Sequence, residues 1–437
     1  MKSASPPNII VFFTDQQRWD CSGLHGNPLD LMPNFDRMAR LGTHVANSFT
    51  CQPVCGPARS CLQTGQYATM TGCYRNSIPL APDAVTLAKC FGKAGYKTAY
   101  IGKWHLADDA VIGPVRKEQR GGYDEWLAGN IPDLDLEPYN LKLYDNDGAE
   151  HRPPGYRVDA QTDVVIRFLS RQENGKPFFL FNSYVEPHHQ NSTNSYPAPE
   201  GYAERYQGRW LPADLAALGG NTHKQIGGYY GMVKRIDEAL GRMMDALKSL
   251  GMEENTIILF SSDHGCHFKT RNDEYKRSCH ESSIRVPTAF TGPGFRGGGH
   301  IHELVSLVDL PPTLLDAAGL PIPDSMQGRS ILPLLRGGGV EWPEEVFVQI
   351  SESEVGRAIR TRRWKYAVTA PDKHGWNDSG SSSYVEAHLY DLETDPSELN
   401  NLVRSKDHVA IRQEFRGRLL ARMEAAGEPR AEIRPAE

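Results

Sequence analysis

A short segment of the chain carries four of its eight cysteines, and cysteine serves both as a nucleophile and as a metal ligand. The four are separated by three, five and eleven residues: Cys51, Cys55, Cys61 and Cys73. Structural zinc sites usually pair ligands that are about two to four residues apart, so this spacing fits zinc poorly. A disulfide-linked knot is not favoured either, because the chain is long and shows no leader peptide. The clustering therefore needs another explanation.

The sequence around Cys55 predicts a site for a negatively charged group. Pro57 lies two positions later, and proline is favoured in the first turn of a helix, which predicts a helix that begins near this residue. The N-terminus of a helix presents unpaired amide donors and a positive potential. An anion beside residue 55 would benefit from both.

Polar residues follow four apolar segments that are far apart in the chain. The segments cover residues 8–14, 98–101, 178–183 and 256–261, and their unalternated side chains are typical of strands buried on both faces of a parallel sheet. Ligands of open α/β sheets gather at the carboxyl ends of the strands. The polar residues that can converge there are Asp15, Gln16, Lys103, His105, His188, Asp263 and His264.

The elements that would position these residues indicate an α/β fold. Helical periodicity lies between the predicted strands, at residues 33–41, 86–94, 159–171 and 229–250. Strands that alternate with helices predict a large, mostly parallel sheet between two layers of helices.

The chain changes character after the glycines at 337–339. Short strands are predicted at 345–350, 357–361, 364–368 and 387–391, with a mobile loop at 376–384 and a helix at 408–425. This pattern indicates a smaller antiparallel sheet with a terminal helix. We therefore expect a catalytic α/β domain over residues 1–338 and a smaller C-terminal α+β subdomain over residues 339–437.

The composition excludes several classes of protein. Hydrophobic residues make up 39% and charged residues 23%, which is typical of a globular protein rather than a disordered, collagenous or coiled-coil one. The net charge of −6 argues against a nucleic-acid or membrane-surface partner. No segment reaches the ~18 apolar residues of a membrane span. With no signal peptide visible, the sequence as it stands predicts a cytoplasmic protein, or a periplasmic or secreted one if a leader was removed.

Residues 55–65 resemble the signature of type I sulfatases, Cys-x-Pro-x-Arg followed by Thr-Gly, at every defining position. Further family motifs occur in the expected order along nearly the whole chain. They lie at residues 102–106, 187–188, 262–265, 276–287 and 389–396. One departure is that His189 and Gln190 replace the residue and proline that usually follow the Pro-His element.

The resemblance implies an alkaline-phosphatase-like fold and a modified nucleophile. In this family the cysteine of the signature, here Cys55, is oxidised to Cα-formylglycine by a formylglycine-generating enzyme. The hydrated aldehyde then attacks the sulfur atom, and Arg59 is the expected residue that orients it. A serine in its place would lack the second hydroxyl that expels the sulfate.

The resemblance also implies a divalent metal ion, held by Asp15, Gln16, Asp263 and His264 together with residue 55. Calcium is the usual ion of the family and suits oxygen ligands. Gln16 replaces a second aspartate of many sulfatases, and His264 replaces an asparagine. These changes lower the charge and soften the site, which makes Mn²⁺ the alternative. The same two pairs occur in phosphonate monoester hydrolases.

The remaining roles follow from the matched motifs. Lys103 and Lys276 would hold the sulfate oxygens, and His188 would protonate the leaving alcohol as general acid. His105 would remove the proton from the second hydroxyl so that sulfate leaves. The neighbouring His189 is the alternative general acid, although the Pro-His pattern selects His188.

The predicted function is hydrolysis of sulfate esters on small molecules or oligosaccharides, as in polysaccharide degradation. Basic residues near the metal-binding turn, His267 and Arg271, are candidate substrate contacts, although a solvated loop explains them equally well. Insertions at 130–157 and 190–225 would shape a saccharide cleft. The alternatives are a phosphonate or phosphate ester hydrolase that uses the same site, and a non-catalytic binding module. The sequence indicates neither the sugar nor the oligomeric state.

Overall fold

The computed structural model describes residues 5–108, 113–131, 137–173, 175–337 and 339–436. Within these ranges the strands form one sheet of ten strands and one of five. The strands of the large sheet are β1 (Asn8–Thr14), β2 (Thr43–Phe49), β3 (Lys97–Lys103), β4 (Glu125–Gly129), β5 (Leu143–Tyr144), β6 (Glu150–His151), β7 (Phe178–Ser183), β8 (Thr256–Ser262), β9 (Ala289–Thr291) and β10 (Gly299–Ser306).

The four strands predicted from the apolar segments form the centre of the large sheet. The spatial order is β10-β2-β9-β8-β1-β7-β3-β4-β5-β6, so that β8, β1, β7 and β3 are consecutive neighbours. They pair in parallel, and their carboxyl ends therefore meet at one edge of the sheet. The antiparallel pairs involve β9 and the short strands β5 and β6. The prediction of a large, mostly parallel sheet is confirmed.

Helices cover both faces of the large sheet, as predicted. The helices in this part of the chain are α1 (Pro33–Leu41), α2 (Cys55–Thr64), α3 (Ala68–Thr71), α4 (Leu87–Lys93), α5 (Arg157–Ser170), α6 (Tyr202–Tyr206), α7 (Ala213–Ala217), α8 (Thr222–Ser249), α9 (Glu281–Ile284), α10 (Leu310–Ala317) and α11 (Leu332–Arg336). The helix predicted at 229–250 begins earlier, at Thr222.

The side chains of β1 alternate between two hydrophobic cores. Ile9, Val11 and Phe13 pack in the core that includes residues of α2, α4 and α10. Ile10 and Phe12 pack in the core that includes residues of α1, α5 and α8. Both faces of the strand are buried, which is why its sequence is apolar without alternation. This packing holds the end of β1 in a fixed position.

The second sheet follows the large one in the chain. Its strands are β11 (Glu345–Ile350), β12 (Gly356–Thr361), β13 (Trp364–Thr369), β14 (Ser383–Asp391) and β15 (Glu432–Arg434), in that spatial order. The first four pair antiparallel, and β15 pairs parallel to β14. The terminal helix α12 (Val409–Ala425) packs Phe415, Leu419 and Met423 against the sheet. The predicted loop at 376–384 is wrong at its end, because β14 already begins at Ser383.

The two sheets are packed together. The Gln349 amide on β11 donates a hydrogen bond to the Cys51 carbonyl, with N and O 2.8 Å apart. Val346 and Val348 of the same strand share a core with Phe49 and Ile284. Loops of the second sheet can therefore reach the edge of the first. The predicted domain boundary falls at residue 338, outside the described residues, and the division into 1–338 and 339–437 stays a prediction. Within the described ranges, none of the helices combines the length and the apolar character needed to cross a bilayer.

Candidate active site

Cys55 lies where the central strands of the large sheet end. It is the first residue of α2, so the helix begins two residues before the predicted Pro57 and its N-terminal turn starts at the cysteine itself. Asp15 follows β1, Lys103 ends β3, and Asp263 follows β8. The structure therefore brings together residues from distant parts of the chain, from Asp15 to Asp263, as the parallel arrangement of the strands predicts.

The thiol of Cys55 has three close polar neighbours. Its Sγ atom lies 3.5 Å from Asp15 Oδ1, 3.3 Å from His264 Nε2 and 2.8 Å from Lys276 Nζ. The residue is buried, with 1% of its surface exposed, and it lines the bottom of a cavity of about 400 Å³. The thiol is thus confined but reachable from the cavity.

The charges around Cys55 stabilise an anion. Burial alone would raise the pKa of the thiol, but Lys103, Lys276 and His264, together with a hydrogen bond from His105, lower that pKa well below its ordinary value. The two lysine ammonium groups would also stabilise the oxygens of a bound sulfate, because charge-assisted hydrogen bonds are strongest in a desolvated site.

Arg59 joins the two acidic residues of the site. Its Nη2 atom lies 2.8 Å from Asp15 Oδ2 and 3.2 Å from Asp263 Oδ2. Its Nη1 atom donates to the Lys103 carbonyl at 3.0 Å and to Ser183 Oγ at 2.6 Å. The side chain is almost fully buried. Arg59 therefore fixes the carboxylates that face residue 55, and the hydrogen bonds of its guanidinium are directed to them and to β3 and β7.

Four side chains form a cluster that could hold a metal ion. The ligand atoms of Asp15, Cys55, Asp263 and His264 all lie within 4.8 Å of one another. His264 Nδ1 lies 3.0 Å from the Gly265 carbonyl, and a carbonyl only accepts, so this nitrogen carries the proton. Nε2 is left with its lone pair directed at the cluster, which is the form that binds metal.

The electrostatics of the two carboxylates fit a cation. Burial and the charge on Asp15 raise the pKa of Asp263 to about 7. Burial and Cys55 oppose the charge on Asp15, but Lys103, His188 and Arg59 outweigh them and lower its pKa well below the usual range. A divalent ion between the two groups would relieve their repulsion and stabilise both as carboxylates. The donor set of this chain therefore suits the metal that the sequence motifs imply.

Gln16 lies beside this cluster, but its side chain already has partners. Its Oε1 atom accepts a hydrogen bond from the His189 amide at 3.0 Å, and its Nε2 atom lies 3.5 Å from Cys266 Sγ. Its backbone amide donates to Asp263 Oδ1 at 3.0 Å. The residue lines the cavity and has a left-handed backbone, with φ of 65°. The structure thus shows Gln16 linking the β1 turn to the loop of His188 and His189, and its role as a metal ligand stays a prediction.

Lys103 lies where the backbones of β3 and β7 pack closely against each other. Its Nζ atom lies 2.8 Å from Asp15 Oδ2, and the side chain is fully buried. The preceding residue, Gly102, has φ of 105°, and a Cβ atom there would lie 1.9 Å from the Ser183 carbonyl oxygen. Only glycine fits this close approach of β3 to β7. The packing aims the ammonium group into the site rather than toward solvent.

The side chains of His188 and Lys276 are in contact in the wall of the cavity. His188 Nδ1 lies 2.6 Å from the His189 carbonyl, so it is the donor. His188 Nε2 lies 3.0 Å from Lys276 Nζ, which can only donate, so the imidazole is neutral in this arrangement. Burial and then Lys276 lower the pKa of His188, while Asp15 opposes the shift. His105 lines the same cavity, and its backbone amide donates to the Asn130 carbonyl at 2.7 Å.

Two predicted substrate contacts lie elsewhere. His267 is fully buried, and its Nε2 atom lies 3.0 Å from the Lys276 carbonyl. Arg271 donates from Nη1 to the Glu398 carbonyl at 2.7 Å and from Nη2 to the Ser397 carbonyl at 2.6 Å. Neither side chain lines the cavity. Basic residues close in sequence to the metal-binding turn were an insufficient signal, because His267 holds its own segment together through the Lys276 carbonyl, and Arg271 ties that segment to the loop after β14.

The sequence motifs missed a buried group that positions His188. Arg157 Nε lies 2.7 Å from Glu186 Oε1, and Arg157 Nη1 donates to Gln190 Oε1 at 2.8 Å. The Asp15 amide also donates to the Glu186 carbonyl at 3.2 Å. These contacts hold both ends of the loop that carries His188 and His189. Gln190, which departs from the family pattern, is part of this group.

The cavity has two parts that come from different segments of the chain. The floor is lined by polar residues around the nucleophile position: Gln16, Cys55, His105, His188, His189 and Lys276. The other lining residues are Asn76, Ser77, Ile131, Asn191, Glu274, Tyr275, Arg277 and Trp376; Ile131 and Tyr275 are buried, and the partly or fully exposed remainder forms the rim. Ile131 and Asn191 belong to the two predicted insertions, of which residues 132–136 lie outside the described residues.

Comparison with known proteins gives the same family along most of the chain. The Sulfatase family matches residues 7–320, and the family described as N-sulphoglucosamine sulphohydrolase, C-terminal, matches residues 273–425. The chain is 30% identical to an ulvan-active sulfatase of Formosa agariphila, over 97% of this chain and 82% of that protein. It is 25% identical to an N-acetylglucosamine-6-O-sulfatase of Bacteroides thetaiotaomicron, over 94% of this chain and 85% of that protein.

A solved structure shares the same architecture. A sulfatase structure from work on glycosaminoglycan metabolism by Bacteroides thetaiotaomicron superposes with a TM-score of 0.84 and 25% identity. The similarity covers 98% of this chain and 97% of that one. Both sheets and the site at the edge of the large sheet therefore lie within the matched region.

Proposed function

Because this chain belongs to the sulfatase family, we propose that it hydrolyses sulfate esters of carbohydrates with a formylglycine derived from Cys55. The observation that carries the proposal is the position of Cys55 at the bottom of the cavity, between cationic side chains and a pair of buried carboxylates. When formed, the hydrated aldehyde supplies a nucleophilic hydroxyl and a second hydroxyl that later expels the sulfate.

The lysines bind the sulfate group. Lys276 Nζ lies 2.8 Å from Cys55 Sγ, so an oxygen of a sulfate placed beside residue 55 is within its reach. Lys103 provides a second buried ammonium group on the other side, next to Asp15. Fixed charges in a desolvated site stabilise the charge that moves between the sulfate oxygens in the transition state, without a cost of reorganisation.

The histidines move the protons. His188 keeps Nδ1–H on the His189 carbonyl, and Nε2 accepts from Lys276. Once substrate separates Nε2 from Lys276, the ring takes up a proton from water at Nε2 and, as an imidazolium, delivers it to the leaving alcohol. His105, which hydrogen-bonds to residue 55, is placed to take a proton from it in the second half of the reaction. These two roles belong to different steps, which is consistent with two separate imidazoles.

Asp15, Asp263 and His264, with Gln16 beside them, would hold a calcium ion, and Mn²⁺ is the alternative because His264 adds a nitrogen donor. When bound, the ion polarises the attacking group and lowers its pKa. Asp15 and Asp263 balance its charge, and Arg59 keeps both carboxylates in place.

Sulfated carbohydrate is the proposed substrate class because the relatives named above act on ulvan and on N-acetylglucosamine 6-sulfate. Hydrolysis of phosphonate esters at the same site is the second candidate. The imidazole of His264, 3.3 Å from Cys55 Sγ, is the observation that favours it.

The experiment is a comparison of rates on matched esters, with protein produced together with a formylglycine-generating enzyme. The panel contains sulfated mono- and disaccharides, an aryl sulfate and the corresponding aryl phosphonate. We expect release of inorganic sulfate from at least one sulfated sugar, with kcat/KM above that of the aryl phosphonate. A higher kcat/KM on the phosphonate would replace the proposal by the second candidate. The Cys55→Ala variant, which cannot form the aldehyde, should release no sulfate. The Cys90→Ala variant, altered at a half-buried cysteine on α4, is its matched control and should keep the wild-type rate.

A further inference from the structure

Trp376 brings an aromatic ring to the rim of the cavity from the second sheet. It lies in the loop between β13 and β14 and lines the cavity that has Cys55 at its floor. The residue is 37% exposed, although tryptophan is on average a highly buried residue. An exposed aromatic ring at the mouth of a cavity can bind a ligand that has an apolar face.

The loop around Trp376 is held in place from two directions. Tyr74 Oη donates to the Asn377 carbonyl at 3.0 Å, and the Glu352 amide donates to the Gly375 carbonyl at 2.8 Å. The Trp376 amide lies 3.3 Å from His374 Nδ1. These bonds connect the loop with the segment after α3 and with the segment after β11. The indole is therefore presented by a fixed backbone.

One face of the indole is already occupied. The guanidinium carbon of Arg75 lies 4.6 Å from the centre of the Trp376 ring, and Arg75 Nη1 donates to the Asn76 carbonyl at 2.7 Å. This cation–π contact orients the ring and covers part of its surface. The part that stays exposed is available to a molecule in the cavity.

The other charges on the rim cancel. Arg277 Nη1 lies 2.7 Å from Glu274 Oε2, and Arg277 also pairs with the buried carboxylate of Glu352. Asn76 contributes an amide, whose Oδ1 accepts from the Gly56 amide at 2.9 Å. The rim thus combines an aromatic surface, amide groups and a neutralised ion-pair cluster. Among the described residues, the rim shows no groove of unpaired basic side chains, which a polyanion would need.

We propose that Trp376, supported by Arg75, is a stacking platform for the sugar part of the substrate. The sugar presents its C–H face to the indole while its sulfate reaches the floor. This inference rests on the proposed function and narrows it to a substrate whose sugar ring is held at the mouth of the cavity while its sulfate lies inside. The binding energy comes from ring contact rather than from attraction to a polyanion.

The test measures binding in the Cys55→Ala background, where hydrolysis cannot occur. Calorimetry gives Kd for inorganic sulfate, for a panel of sulfated disaccharides, and for the unsulfated form of the tightest disaccharide. We expect Trp376→Ala to weaken both disaccharides by about tenfold at most, the size of one aromatic stacking contact, and to leave Kd for sulfate unchanged. Trp376→Phe should keep most of the affinity because it keeps a ring.

Trp210 supplies the matched control, because it is 38% exposed and lines a different surface pocket. Trp210→Ala should leave every Kd unchanged. The inference is overturned if no disaccharide binds, if Trp376→Ala leaves the disaccharide Kd unchanged, or if it weakens sulfate to the same degree. If the protein binds disaccharides through Trp376 but the wild type releases no sulfate from them, the proposed function is wrong and the role of Trp376 in sugar binding still holds.

Discussion

The floor and the rim of the cavity come from different parts of the molecule and differ in how their charges are arranged. The floor is built around the ends of β1, β3, β7 and β8, where burial on both faces of the sheet fixes each strand, together with the N-terminus of α2 and the segment after β8 that carries Lys276. The rim is built by loops, including one from the second sheet that carries Trp376. Charges on the floor converge on residue 55, whereas charges on the rim pair with each other. We therefore expect substitutions on the floor to change the chemical steps and substitutions on the rim to change selectivity between substrates.

Removal of divalent cations is expected to have the largest effect and to act on the floor alone. Because Asp15 and Asp263 are buried side by side, activity should fall about a thousandfold or more after treatment with a chelator, the scale of several kcal/mol of charge stabilisation. Readdition of Ca²⁺ or Mn²⁺ should restore it. The Kd of an unsulfated disaccharide, which binds at the rim, should not change, and calorimetry on the same samples measures it. A change in that Kd would contradict the idea that the floor and the rim act independently.

Loss of His188 is expected to cost about 10²–10⁴ in kcat on a sulfated sugar, the usual contribution of a positioned general acid. The cost should be far smaller on an aryl sulfate, because a phenolate leaves without protonation. Steady-state rates of His188→Ala on both esters measure this difference. The neighbouring variant His189→Ala is the control, and an equal dependence on the leaving group there would assign the acid to His189 instead.

Replacement of Lys276 by alanine should reduce kcat by about 10²–10³, as removal of one donor to a developing oxyanion does. Its ammonium group is 2.8 Å from Cys55 Sγ, so the sulfate loses a direct contact. Lys248→Ala, at an exposed position on α8, should have the wild-type rate. A loss confined to KM would show that Lys276 binds the ground state and the transition state equally.

The smallest effect is expected for Glu352→Gln, a residue that supports the rim from behind. Glu352 pairs with Arg277, accepts a hydrogen bond from the Asn76 amide at 2.7 Å and holds the Trp376 loop through its own amide. The variant keeps the shape and an acceptor for the Asn76 amide but loses the charge that pairs with Arg277, so KM for a sulfated disaccharide should rise about fivefold, the scale of an interaction worth about 1 kcal/mol. Glu253→Gln, an exposed residue, is the control. A large loss of kcat would mean that the rim also positions the reacting groups.

The same comparison explains what could be predicted from the sequence. Strands β1, β3, β7 and β8 were predictable because burial on both faces leaves a continuous apolar run, and polar residues after such strands must meet at one edge. Gln16 was placed in the right turn, but its side-chain contacts with His189 and Cys266 depend on a loop that no periodicity describes.

The errors have physical causes as well. The start of α8 was missed because Gly227 and Gly228 weaken the helical pattern, yet a Cβ atom at Gly228 would lie 2.2 Å from the Tyr196 carbonyl oxygen. His267 and Arg271 were selected by charge alone, while their partners are backbone carbonyls. Trp376 had no motif, since its importance depends on how one loop of the second sheet packs against Tyr74.

The central claim is that an aldehyde at residue 55 is the nucleophile, and one measurement tests it most directly. Protein made with graded amounts of a formylglycine-generating enzyme is digested, and mass spectrometry gives the fraction of the residue-55 peptide in which a carbonyl has replaced the thiol. Sulfate release is measured on the same samples. We predict a rate proportional to the aldehyde fraction, with a zero intercept. Full activity in protein whose Cys55 is an unmodified thiol would contradict the account.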